Sequence, residues 1–338
     1  MKRYEPKNFE KNYEKYLLCL LTEGYKLYEN KDRAQKECNK ILRKLGDSGA
    51  VVNDESKNRY KIYNDPDKKE NVDFYNDLSD FLNAASCEHR KDLLFKANGL
   101  SKKGIMVYRK KDKKEYFTIQ SDQLGFSADT WIYFSTKYPL SRYFEMQKNK
   151  EAAKFLTDYV LATRTLGGSF LWPESLYKDY NPGRGCAKIE DRVDLTLLEI
   201  KHYFEYRELD DKKNFKYSGD ILFRYYDNLD AQTWFGFFDS FEDYVDFFLF
   251  NGFVKEINKN GKKEYMPINI LTGKPFKKDY LNYEKNVLKG LEEDKLKAML
   301  DLVMRMVKTR SEDMEKLIAK YNQTNDTKGE KHENILHE

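Results

Sequence analysis

Residues 188–206, KIEDRVDLTLLEIKHYFEY, constrain this chain's fold more than any other stretch. Apolar residues recur on more than one face of the helix they would form, and such a helix belongs inside a protein. Yet the same helix opens on Asp191, Arg192 and Asp194. Charged groups set that tightly against core-forming sequence are costly to bury unless they bond to one another or to a ligand. Just upstream, RTLGGSFLWP (164–173) and NPGRG (181–185) place two glycine-bearing segments around an apolar run. Residues 164–206 are therefore the candidate binding region, although they match no motif that defines a reaction.

Elements on either side follow from periodicity. Residues 9–45 carry two helical patterns: Tyr13, Leu17, Leu20, Leu21, Tyr25 and Leu27, then Ala34, Cys38, Ile41, Leu42 and Leu45. Short strands are expected at 51–52 and 60–63. Helix, helix and hairpin resemble a winged helix in outline, which would lay the 36–44 helix in a DNA major groove. The third helix of that fold is hard to place, however, and the plainer reading is a helical cap on the main domain. Further on, a helix is expected at 74–84, and strands at 105–108 and 116–119 flank the charged connection RKKDKKE. A helix at 140–161 precedes a buried strand at 168–172 closed by Pro173. The run FFDSFEDYVDFFLFNGFVKEI (237–257) reads as one aromatic helix ending at Gly252, with Asp239, Glu242, Asp243 and Asp246 on its solvent face. A strand at 265–270 and amphipathic helices over 277–320 complete the pattern.

These elements predict an α+β fold. A small antiparallel sheet from residues 100–175 packs on buried helices, with helical additions at both ends. The expected divisions are an N-terminal segment at 1–70, a main domain at 71–290, a C-terminal helix at 291–320 and a disordered polar tail at 321–338.

Charge and cysteine usage narrow the function classes. Residues 1–70 carry 17 basic and 13 acidic side chains, which leaves 44 of each in the remainder and a net charge of +4. So neutral a bulk argues against a dedicated surface for duplex DNA. The four cysteines, Cys19, Cys38, Cys87 and Cys186, form no CxxC pair, and His332 and His337 lie in the tail, so neither a metal site nor a cofactor is expected. No apolar run approaches the roughly 20 residues needed to span a bilayer. Met1-Lys2-Arg3 leads into charged sequence rather than a signal peptide. The expected setting is the cytoplasm, with reduced thiols.

The motifs of the central stretch resemble an uncharacterised family of bacterial proteins, a domain of unknown function. Its pattern runs TSDSI, TIGG with two apolar residues and FP, N-x-ARG, K-I-x-DR-F-DLTLE-x-I, and GYVDFFL. The counterparts here are IQSDQLGFS (119–127), RTLGGSFLWP (164–173), NPGRG (181–185), KIEDRVDLTLLEIKHYF (188–204) and SFEDYVDFFLFNGFV (240–254). The likeness covers about residues 100–290. Pro182-Gly183 departs from the family's residues before Arg184, and Trp172 replaces a Phe. The resemblance implies a domain and its site, but no activity.

The candidate chemistry is recognition of phosphate. Arg184 sits between two glycines, and an arginine on such a loop can present its planar fork to a phosphate or carboxylate. Gly167 and Gly168 offer backbone amides for an anion. Asp191 and Asp194 suit a helix N-terminus as caps. Arg192 opposes the helix dipole there, so it either pairs with a buried acid or binds an anion with help from the helix amides. With Arg164 these residues form a candidate phosphate cluster, and Ser121 and Asp122 project from the end of a strand toward the same cleft. His89 and His202 stand in no nucleophile context, so a Ser-His-Asp triad is not supported. Two functions follow. One is binding or acting on a phosphate-bearing ligand, a nucleotide or RNA. The other is a non-enzymatic protein–protein interaction module, accessory to a phage-defence or toxin–antitoxin type of system. Arginines buried in internal pairs favour the second; an arginine-lined cavity favours the first.

Overall fold

A computed structural model describes residues 1–4, 9–27, 51–54, 59–62, 72–99, 104–125, 149–174, 192–207, 229–259, 261–277 and 292–333. In chain order the elements are helix α1 (Phe9–Leu27), strands β1 (Val51–Asp54) and β2 (Arg59–Ile62), helix α2 (Val72–His89), and strands β3 (Leu93–Ala97), β4 (Ile105–Arg109) and β5 (Lys114–Gln123). Helix α3 (Asn149–Thr163), a 3-10 turn at Leu166–Gly168 and strand β6 (Ser169–Pro173) follow. Then come α4 (Val193–Arg207), α5 (Leu229–Gly236), α6 (Phe241–Phe247), a 3-10 turn at Asn251–Phe253, β7 (Val254–Lys259), β8 (Lys262–Asn269), β9 (Lys274–Pro275) and α7 (Glu293–Glu333).

The architecture is α+β. Strands β3 to β6 form an antiparallel sheet in sequence order, β7 to β9 form a second, and β1 and β2 form a hairpin. The main sheet reaches further upstream than residue 100, because LLFKA at 93–97 pairs with β4 in the register Leu93↔Arg109 to Ala97↔Ile105. Only Leu93 and Phe95 of that strand are buried. Two apolar residues two apart are too short a signal to separate a strand from a helix end.

Helix α4 lies in the centre of the helical layer, with every residue from Val193 to Phe204 buried. Leu195 and Leu198 pack with Met266 of β8 on one side. Tyr203 and Phe204 meet Phe235 of α5, at ring centroid distances of 4.7 and 6.0 Å, on the other. A helix clasped from both sides has no solvent face to keep polar, which is why its sequence shows no single stripe.

The aromatic segment is not one helix. Asp239-Ser240 breaks it: the Ser240 side chain accepts a 3.2 Å hydrogen bond from Asp243 N, capping α6, while the Asp243 carboxylate accepts from Asp239 N at 2.8 Å. The end is displaced as well. Leu249, not Gly252, takes the left-handed conformation (φ 54°). Its N–H reaches Asp246 O at 3.2 Å and Phe250 N reaches Val245 O at 2.8 Å, the paired bonds of a Schellman cap. The acids are not a plain solvent face either: Glu242 accepts from Tyr265 N at 3.1 Å, and Asp243 pairs with Arg90.

The N-terminal helix caps the main domain. Phe9, Tyr13, Leu17 and Leu21 of α1 lie in the same core as Leu156 and Val160 of α3. The hairpin expected near residues 51 and 60 is present, with Val51 opposite Ile62. The expected helix over 34–45 lies outside the described residues. At the other end α7 continues to Glu333, past Tyr321, where composition pointed to disorder. Among the described side chains its last buried one is Met314, and the sequence beyond Lys320 is polar, a continuation of an anchored helix.

Truncating Leu198 to alanine should cost about 2–5 kcal/mol of unfolding free energy, because the surrounding helices and β8 cannot collapse into the space. Denaturant unfolding checks this, and a variant as stable as the parent would contradict the central placement of α4.

Candidate functional site

The two glycines of RTLGG lie in the 3-10 turn between α3 and β6, and both are buried. They bring chain close to chain. A Cβ on Gly167 would stand 2.3 Å from Ser311 Oγ and 2.4 Å from Val307 O of α7, and one on Gly168 would stand 2.0 Å from Thr163 O. Their amides are already used: Gly167 N donates to Ser311 Oγ at 3.0 Å and Gly168 N to Thr165 O at 3.0 Å. An anion at this turn would have to displace those bonds.

Ser121 and Asp122 lie near the end of β5, opposite Leu171 and Phe170 of β6. With Gly168, Ser169, Gln123, Thr163, Thr165 and Phe74 they line a crevice of about 10 Å³. That is room for roughly one water, far less than a phosphate group needs.

Two of the three candidate arginines are engaged within the fold. Arg192 Nε and Nη2 donate to Asp194 Oδ1 and Oδ2 at 3.0 and 2.5 Å, with both residues buried. Asp194 Oδ2 also accepts from Ile270 N, in the β8–β9 turn, at 3.0 Å. The guanidinium that opposes the helix dipole thus pairs with an acid two residues on, the first of its two sequence alternatives. Arg164 is fully buried, with its guanidinium 4.1 Å from the centre of the Phe9 ring. Of the nine candidate residues, Ser121, Asp122 and Gly168 share the crevice, Gly167 packs on α7, and Arg192 and Asp194 pair at the start of α4. Arg184 and Asp191 lie outside the described residues.

Sequence reasoning missed the polar group at the centre of this region. Arg310 of α7 is buried, donating from Nε to Phe248 O at 2.8 Å and from Nη1 to Gly167 O and Ser169 O at 2.8 and 2.7 Å. The Phe250 ring centre lies 4.0 Å from its guanidinium. Burial pushes its pKa down to about 9, which leaves it charged at neutral pH. A signal existed: position 310 continues the stripe Leu296, Met299, Val303, Met306 and Val307 at helical spacing, so an arginine stands where a core residue is due.

Helix α4 carries further buried ionisable groups. Lys201 Nζ bonds to Glu264 at 2.6 Å and Glu205 at 2.9 Å. His202 beside it is held neutral, its pKa pushed down to about 3 first by burial and then by the Lys201 charge. Among the described residues no group of three or more His, Cys, Asp or Glu side chains is arranged to hold a metal ion. None of the described helices is long and apolar enough to cross a membrane.

A larger opening lies between α2, the turn after α6 and α7. This groove, of about 340 Å³, has an apolar floor of Ala85, Phe247, Leu249 and Leu317, rimmed by Asp246, Asp313, Lys316 and Lys320.

Comparison with protein families matches the chain to the family of unknown function DUF6994 over residues 69–314. The chain belongs to that family. The DUF6994 unit is wider than the likeness over 100–290 implied, since it takes in α2 and α7 as far as Met314. Both helices contribute to the central core, which makes them parts of the unit rather than additions to it. No curated protein and no solved structure matches the chain.

Two outcomes test this geometry. Arg310→Ala should lose about 3–5 kcal/mol, since three buried carbonyls lose their donor, and Arg310→Lys should recover only part, because an ammonium's donors radiate from a single point and it has no flat face to lay on a ring. Parent-like stability in either variant would contradict the arrangement. His202 is protonated in the unfolded chain below about pH 6.5 but stays neutral in the folded one, so stability is lost as pH falls. By pH 5 the loss from this group is about 2 kcal/mol. His202→Gln should flatten the stability–pH curve between pH 6.5 and 4, and an unchanged slope would sink the assignment.

Proposed function

We propose that this DUF6994 protein acts by binding another protein and carries out no reaction of its own. The observation that carries the reading is the closed fork of Arg192 on Asp194, whose second task is to hold Ile270 N. A guanidinium spent on the fold in this way is not offered to a phosphate. Arg164 against Phe9 and the engaged amides of Gly167 and Gly168 support the same reading. The groove between α2 and α7 has the make-up of a docking surface, with an apolar floor and a charged rim. The setting we infer is the cytoplasm, where a thiol such as the exposed Cys87 stays reduced.

The competing reading is a nucleotide or RNA ligand, held by Arg184. Thermal shift against a panel of nucleotides and short RNAs separates the two. The expected result is no shift in the parent protein. A stabilisation that saturates with ligand and disappears in Arg184→Ala, with the melting temperature of the free protein unchanged, overturns our reading. On the positive side, tagged protein should retain a partner from its native cells. The double variant Lys316→Glu, Lys320→Glu should lose that partner while keeping the parental melting temperature. Equal retention by both proteins counts against the groove.

A further inference from the structure

No further inference is drawn: the strongest candidate, the apolar-floored groove between α2, the turn after α6 and α7, belongs to the surface already proposed for partner binding, and nothing in the structure shows what chemistry covers it.

Discussion

The guanidinium of Arg310 holds three parts of the chain in register. Its bonds reach Phe248 O after α6, Gly167 O in the 3-10 turn and Ser169 O at the start of β6. All three carbonyls sit in a region that excludes water, where an unmet acceptor costs about 1–3 kcal/mol. The charge itself is met by carbonyl dipoles and the face of Phe250 rather than by a carboxylate. One side chain thereby ties helix α7 to both the sheet and the aromatic helices.

That placement explains the glycine pair. For Arg310 to reach Gly167 O, the next residue, Ser311, must come against the turn. Its hydroxyl lies 2.6 Å from Thr165 Oγ1 and accepts from Gly167 N, while its own backbone would collide with a Cβ at 167. The TLGG sequence is thus a docking point for a helix well over 100 residues downstream. The same features, small residues with available amides, are what an anion site requires. Local sequence cannot separate the two uses, because the difference lies in whether another part of the chain arrives to take the amides.

Legibility follows the same division. The all-round burial of α4, the hairpin of β4 and β5 and the buried strand at β6 were readable, since each depends on its own residues' periodicity. Leu195, Leu198, Phe204, Tyr244, Phe247 and Phe248 are all buried, as that periodicity requires. What escaped depended on partners. Asp239-Ser240 splits an unbroken aromatic run because a cap there satisfies backbone donors, a local signal masked by the hydrophobic residues around it. Leu249 accepts a left-handed backbone that glycine would take more cheaply, since its side chain packs on the core. Gly252, the residue that looked like the stop, has open space around it. For Arg192 the sequence left an internal acid and an external anion open together, and only the fold of Asp194 toward Ile270 N separates them.

A second arginine repeats the device of the first. Arg207, in the last turn of α4, donates to Phe235 O at 3.0 Å, Phe238 O at 2.8 Å and Asp239 O at 2.6 Å, and lies 4.4 Å from the Phe204 ring centre. Phe235 O lies in the last turn of α5 and the other two in the link to α6, while Phe248 O closes α6. Helices of eight and seven residues leave about half their carbonyls without an intrahelical partner. At the end of α6 the bond to Phe248 O is buried, so the donor there must come from protein, while the Arg207 bonds after α5 are only partly covered. Arginine is the side chain fitted to that place: its fork serves several acceptors at once, and its flat face stacks on the rings that shut water out. Each of these two short aromatic helices is thus served by an arginine, buried at Arg310 and half-buried at Arg207. On that argument Arg207 and Arg310 follow from the aromatic helices beside them before any ligand is considered.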